Sequence, residues 1–198
     1  AGDHSGDGMK VADYLKGGLD LLQKHPLEMM AAGLIALVMS FTVVLAGPVL
    51  AGLVYMALKA RRGEKPEIID LFKGFDYFVN SLFVGVIIIS VLAAAMVFML
   101  LPVIGWILGV VFVVLALPIA SALMLYTMPL IVDKGLGWKP ALNASLARST
   151  KDLLGHVVFG MLACVVVIPF IGLPIYLGAI TAAYADASAE LVGLASKG

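Results

Sequence analysis

Three stretches of this chain contain no aspartate, glutamate, lysine, arginine or histidine: residues 29–58, 77–132 and 157–185. They run for 30, 56 and 29 residues. A helix that crosses the hydrocarbon core of a bilayer needs about 20 consecutive apolar residues. The middle stretch therefore holds two full spans, while each outer stretch is long for one upright span and short for two. Of the 198 residues, 62% are hydrophobic and 13% charged, against about 45–50% and about 25% in an ordinary soluble domain. That composition excludes a soluble globular protein and a disordered one. Thirteen basic residues balance thirteen acidic ones, so no bulk field recruits nucleic acid.

The turn in the middle stretch is expected at Leu101-Pro102-Val103-Ile104-Gly105, where proline removes a donor and glycine loosens the backbone. Breakers also sit near the middle of each outer stretch: Gly47-Pro48 in the first, and Pro169-Phe170-Ile171-Gly172-Leu173-Pro174 in the third. Each outer stretch reads either as one long kinked helix or as a helical hairpin. The basic residues favour hairpins. All but Lys197 fall in an N-terminal segment (Lys10, Lys16, Lys24), a first loop region (Lys59, Arg61, Arg62, Lys65, Lys73) and a second (Lys134, Lys139, Arg148, Lys151). Hairpins place all three on the cytoplasmic side, as the positive-inside rule asks, whereas single outer spans strand the N-terminal lysines outside.

An amphipathic segment precedes each apolar stretch. After Pro66 come Ile68, Leu71, Phe72, Phe75, Phe78 and Val79 at helical spacing, with Glu67, Asp70, Lys73 and Asp76 opposite. The N-terminal segment sets Val11, Leu15, Leu19 and Leu22 against Lys10, Asp13, Lys16 and Asp20. A third helix, opened by Pro140, follows Trp138 and carries Leu142, Leu146 and Leu153 on one face. All three are too poor in apolar residues to span. They are expected to lie in the interface, with Leu15, Leu19, Phe72, Phe75, Trp138 and Leu142 toward the lipid tails, or to pack on the protein's own core. Leu15-Lys16-Gly17-Gly18 and Phe72-Lys73-Gly74-Phe75 match at an offset of 57, which suggests an internal repeat of amphipathic helix, span, breaker and return helix.

Because lipid is as apolar as leucine, small residues must bring such helices together. Gly178, Ala182, Ala185 and Ala189 form one stripe, Ala179, Ala183 and Ala187 another, and Gly105 and Gly109 form a GxxxG pair. These seams serve either packing within one protomer or contact in a homo-oligomer. Asp186, on a small-residue face, is expected to support assembly by pairing with His156 or Arg148.

Catalytic signals are nearly absent: the chain has no Gly-x-Ser-x-Gly, no His-Glu-x-x-His and no phosphate loop. The ionisable groups nearest the apolar stretches (Glu28, Asp133, His156, Asp186) sit at their edges, where charges are usually solvated. Hydroxyls within the spans, such as Ser40, Thr42, Ser90, Ser121, Thr127 and Thr181, can bond back to a carbonyl one turn earlier. Ser121 and Thr127 do not share a helix face, which argues against an aqueous pore through one protomer. The single cysteine, Cys164, excludes an internal disulfide and reads as a small hydrophobe. Residues 1–8, with His4, Asp3 and Asp7, read as a vector scar or disordered leader, leaving residues 9–198 as one membrane domain. No cofactor or metal is expected.

The basic turn Arg61-Arg62-Gly63-Glu64 leads into Ile69-Asp70-Leu71-Phe72-Lys73-Gly74-Phe75. Ala141-Leu142-Asn143-Ala144-Ser145-Leu146 precedes a later apolar stretch, and Gly172-Leu173-Pro174 is followed by Ala182-Ala183-Tyr184-Ala185-Asp186. This pattern resembles a broad group of bacterial inner-membrane proteins of unknown function, which also supplies the membrane domain of some glycerophosphodiester phosphodiesterases. The resemblance implies a multi-helix inner-membrane protein and carries no catalytic residues with it.

The expected fold is therefore all-α and polytopic, with four to six hydrophobic helices, three interfacial amphipathic ones and cytoplasmic termini. Two functions fit. One is a non-catalytic scaffold that self-associates, joins a larger membrane complex or shapes the bilayer. The other is a transporter or channel for a small or lipid-like solute, suggested by prolines at 48, 118, 129, 169 and 174.

Overall fold

The computed structural model describes residues 10–40, 43–100, 104–167 and 172–196. The leader 1–8, Thr42, the Leu101-Pro102-Val103 part of the expected turn, Pro169 and the side chain of Cys164 lie outside what it describes. The described residues are mostly helical and include no strand. The α-helices are α1 (Val11–Lys24), α2 (Pro26–Ser40), α3 (Val43–Arg61), α4 (Phe78–Met99), α5 (Ile104–Leu123), α6 (Thr127–Lys134), α7 (Trp138–Ser149), α8 (Leu153–Val167) and α9 (Gly172–Ala195). Two 3-10 segments, Ile68–Tyr77 and Thr150–Asp152, lead into α4 and α8.

Three helical stretches are long and apolar enough to cross a membrane: Val44–Arg61, Ile68–Val91 and Gly105–Lys134. The apolar helices α2 and α8 have 15 residues each, about 22 Å of rise. That is short of the ~30 Å hydrocarbon core.

Both outer apolar stretches divide into two helices that touch, α2 with α3 and α8 with α9. The first does not divide at Gly47-Pro48. Pro48 lies inside α3, where its missing N–H forfeits only a bond to Val44 in the first turn. The adjacent Gly47 is buried where α3 meets the start of α4, and a Cβ there would overlap the Ser81 carbonyl. Pro174 likewise falls at the third position of α9, among the N–H groups a helix leaves unpaired in any case.

Ion pairs gather the charged segments. Lys65 reaches Glu28 at the start of α2 (3.4 Å), and Arg62 at the end of α3 pairs with Asp133 at the end of α6. Arg148 (3.0 Å) and Lys151 both meet Glu190 in the closing turns of α9. The N-terminal segment, both basic loops and the C-terminal turns therefore meet at one end of the molecule.

The amphipathic segments pack on the protein's own core, and not by the faces that the leucine and phenylalanine spacing predicts. In α1 the buried line is Tyr14, Gly18 and Leu21, set against α9. Leu15 is half-buried and Leu19 exposed. The segment after Pro66 begins at Ile68, with a capping box in which the Glu67 N–H donates to Asp70 Oδ2 (2.8 Å). It winds as a 3-10 helix, whose period of three makes ridges of every third residue. Leu71 and Gly74 face α3, while Ile69, Phe72 and Phe75 form an outer ridge on which the two phenyl rings stack 6.3 Å apart. In α7, which starts at Trp138 and holds Pro140 at its third position, the buried face is Ala141, Ala144, Ser145 and Ser149. Leu142 and Leu146 flank that face half-buried, and Leu153 is exposed.

One glycine contact recurs, one residue out of register with the matched letters. Gly74 sits over the Pro48–Gly52 turn of α3, and Gly18 sits over the Pro174–Gly178 turn of α9. Both supports read Pro-x-x-x-Gly. The structural counterpart of Gly74 is thus Gly18, where the matched letters pair it with Gly17.

Candidate functional site

The longest apolar stretch is broken in its second half. Pro129 has no N–H to offer the Leu125 carbonyl, and its ring crowds that position. The helix accordingly ends at Leu123 and restarts at Thr127. A break in an apolar setting leaves backbone groups that need partners, and α7 supplies them. Ser145 Oγ donates to the Leu123 carbonyl (2.7 Å) and accepts from the Tyr126 N–H (3.2 Å), while Ser149 Oγ donates to the Ala122 carbonyl (2.9 Å). One turn of α7 thus bridges both sides of the gap. From the break, the Tyr126 hydroxyl reaches His156 Nε2 at 3.0 Å, and His156 Nδ1 lies 2.7 Å from the Asp152 carbonyl. Ser145, Ser149 and His156 are fully enclosed, and Thr127 Oγ1 is enclosed with no hydrogen-bond partner.

Beside the break lies a cavity of about 110 Å³ where α3, α4, α5, α6 and α9 converge. Its wall is aliphatic and thioether: Leu50, Val54, Val84, Ala120, Met124 and Met128 among others. The polar side chains in the wall are already engaged. Ser121 Oγ donates to the Pro118 carbonyl (2.9 Å), and the Tyr176 ring packs on Phe159, centroids 6.4 Å apart.

Toward the charged end, α3, α6 and α9 also line a polar pocket of about 290 Å³ with Leu58, Arg61, Arg62, Asp133, Tyr184, Ala185 and Ser188. Asp133 is the anchor there, held by Arg62, by Lys134 (3.0 Å) and by the Tyr184 hydroxyl, which donates at 2.7 Å. Arg61 also lines a second polar pocket with Gly17, Asp20, Lys24 and His25. Among the described residues Arg61 forms no ion pair.

The small residues singled out in the sequence divide between two faces. Gly178 and Ala182 are buried against α1, as are Ala179, Ala183 and Ala187 within the core, and Gly105 and Gly109 are buried inside the protomer. Ala185, Asp186 and Ala189 lie on the exposed side of α9. Asp186 does not meet His156 or Arg148. It accepts a hydrogen bond from Tyr14, while His156 pairs with Tyr126 and Arg148 with Glu190. Burial raises the Tyr14 pKa, and the Asp186 carboxylate adds to the effect. Trp138 is half-buried, its ring stacked on Phe83 at 4.9 Å and its backbone N–H donated to Asn80 Oδ1 (3.2 Å). Phe72 is exposed, and Phe75 and Leu142 are half-buried. The hydroxyls of Ser90, Ser121 and Thr181 bond back to carbonyls three or four residues earlier.

Sequence reasoning missed the serine bridge and the His156–Tyr126 pair. Their signal is the run Ala141, Ala144, Ser145, Ser149, a small-residue face at i, i+3, i+4 and i+8 that the leucines of α7 overshadowed. The chain matches no family model, no curated protein and no solved structure in the comparisons made.

Proposed function

We propose that this chain is a non-catalytic integral protein of a bacterial cytoplasmic membrane, with its charged end in the cytoplasm, and that it holds a lipid-like molecule in the five-helix chamber. The observation that carries this reading is the chamber wall, which is apolar but for Tyr176 and for Ser121, whose hydroxyl is bound to the Pro118 carbonyl. Such a site has little to recognise a polar solute by, and in a bilayer its natural competitor for occupancy is an acyl chain. At about 110 Å³ the chamber is smaller than the ~150 Å³ that takes a benzene ring, so it admits the last few carbons of a chain. Membrane embedding draws support from large apolar side chains left exposed along α2, α4, α5 and α8, including Leu34, Val38, Met96, Val97, Trp106, Val114 and Leu154. Kinship with the inner-membrane group that its motifs resemble belongs to the same proposal and rests on those motifs alone.

The glycine seams are spent inside the protomer, which weakens a scaffold built on them. Self-association, or docking into a larger membrane complex, would use the outer faces of α4 and α5 instead. A bilayer-shaping role keeps one specific support: the outer ridge of Ile69, Phe72 and Phe75 beside α3, placed to wedge into one leaflet.

The test is retention of a neutral single-chain probe, decanol, by the purified protein in phosphatidylcholine nanodiscs. Wild type should retain one molecule per protomer above the bilayer background, and Ala120→Leu, which fills the chamber, should reduce retention to background. Equal retention by both proteins contradicts the chamber reading.

A further inference from the structure

The apolar chamber and the polar pocket are stacked along the same three helices. On α3 the lining passes from Val54 in the chamber to Leu58 in the pocket, and on α9 from Ile180 to Tyr184. Each step is four residues, one helical turn, or about 6 Å of rise. On α6 the lining passes from Met128 and Pro129 to Asp133. The two spaces therefore share an axis, apolar at the inner end and charged at the outer one.

The charge at the outer end has a sign. Arg61, Arg62 and Lys134 stand around one carboxylate, Asp133, which is occupied by Arg62, Lys134 and the Tyr184 hydroxyl. Arg61 faces the same pocket and has no carboxylate of its own among the described residues. Its Nη1 lies 3.6 Å from where a Cβ on Gly17 would stand, beside the α1 backbone. A planar cation without an ion pair of its own at the mouth of a pocket is suited to bind an oxyanion through two parallel hydrogen bonds.

We infer that the chamber and the pocket form one site for a single-chain anionic amphiphile, the end of its tail in the chamber between α3, α5 and α9 and its phosphate or carboxylate head at Arg61. This rests on the chamber reading above and adds the chemistry of the head. A lipid headgroup and a free anion share that chemistry, so the experiment separates them.

The probes are decyl phosphate, decanol and inorganic phosphate, each titrated onto the full chain in phosphatidylcholine nanodiscs and compared at equal concentration in the bilayer or in water. Decyl phosphate should bind about tenfold more tightly than decanol, as one charge-assisted bidentate contact implies. Arg61→Gln should erase that difference and leave decanol binding unchanged. Arg61 is exposed, and an unchanged melting temperature checks that the variant folds as wild type does. Ser188→Glu, which adds an acid to the pocket wall without touching the chamber, should weaken decyl phosphate alone. Inorganic phosphate should bind far more weakly than decyl phosphate.

Equal binding of decyl phosphate and decanol by wild type overturns the head assignment and leaves the chamber reading standing. Inorganic phosphate as tight as decyl phosphate overturns the amphiphile, because the head site would then act alone. Binding of neither decyl phosphate nor decanol overturns the chamber reading and this inference together.

Discussion

Gly18 of α1 and Gly178 of α9 are in backbone contact: a Cβ on Gly178 would stand 2.5 Å from the Gly18 Cα. A Cβ on Gly18 would in turn overlap the Ile175 carbonyl. The amphipathic N-terminal helix is thus held to the core by the absence of two side chains. Gly178→Ala should therefore destabilise the protein by about 1–3 kcal/mol, the usual cost of overpacking. Gly193→Ala, on the same helix where a Cβ meets open space, should stabilise it by about 0.5–1 kcal/mol. Thermal unfolding in mild detergent reads both. Shifts of the same sign would contradict the close approach.

The broken helix makes a second paired prediction. Ser145→Ala removes the bridge between the Leu123 carbonyl and the Tyr126 N–H. Leaving either group unpaired in the interior costs about 1–3 kcal/mol. Thr127→Val removes a buried hydroxyl that has no hydrogen-bond partner, so it should be neutral or stabilising by about 1 kcal/mol. Equal losses of melting temperature in the two variants would contradict the bridge.

Alkaline pH should loosen α1. The Tyr14 hydroxyl has its pKa raised above 10.0, first by burial and then by Asp186. A group whose folded pKa is raised contributes stability that is present below its unfolded pKa and lost as pH rises through the folded one. Wild type should therefore lose melting temperature above about pH 10 more steeply than Tyr14→Phe. Asp186→Asn should lie between them, since it removes only the second cause. Parallel curves for wild type and Tyr14→Phe would contradict this environment for Tyr14.

Much of the architecture was legible because charge and apolar length are coarse, additive signals. The charge-free stretches marked the long helices, and the three basic segments marked the end where Arg62 now meets Asp133 and Lys65 meets Glu28. Contacts within the protein were harder to read. Proline positions are ambiguous in a sequence, because their cost depends on which turn of a helix they enter. Pro48 falls inside α3 and breaks nothing, whereas Pro174 stands in the first turn of α9, where its stretch divides, and Pro129 accompanies an interruption. The large apolar residues of the amphipathic segments drew attention away from the contact faces, which are built from Gly18, Gly74, Ala144 and Ser145. In an apolar solvent, packing rewards close approach more than bulk. The α-helical period was also the wrong ruler for Ile68–Tyr77, which winds with a period of three and turns Phe72 and Phe75 outward.

The proposed topology puts the N-terminal segment on the same side of the membrane as both basic loops. Lys16→Cys and Lys151→Cys, each in a Cys164→Ser background, test it directly by labelling with a membrane-impermeant maleimide in sealed vesicles of known orientation. Both should be labelled in inside-out vesicles and both protected in right-side-out ones. Labelling of the two positions from opposite sides would contradict it.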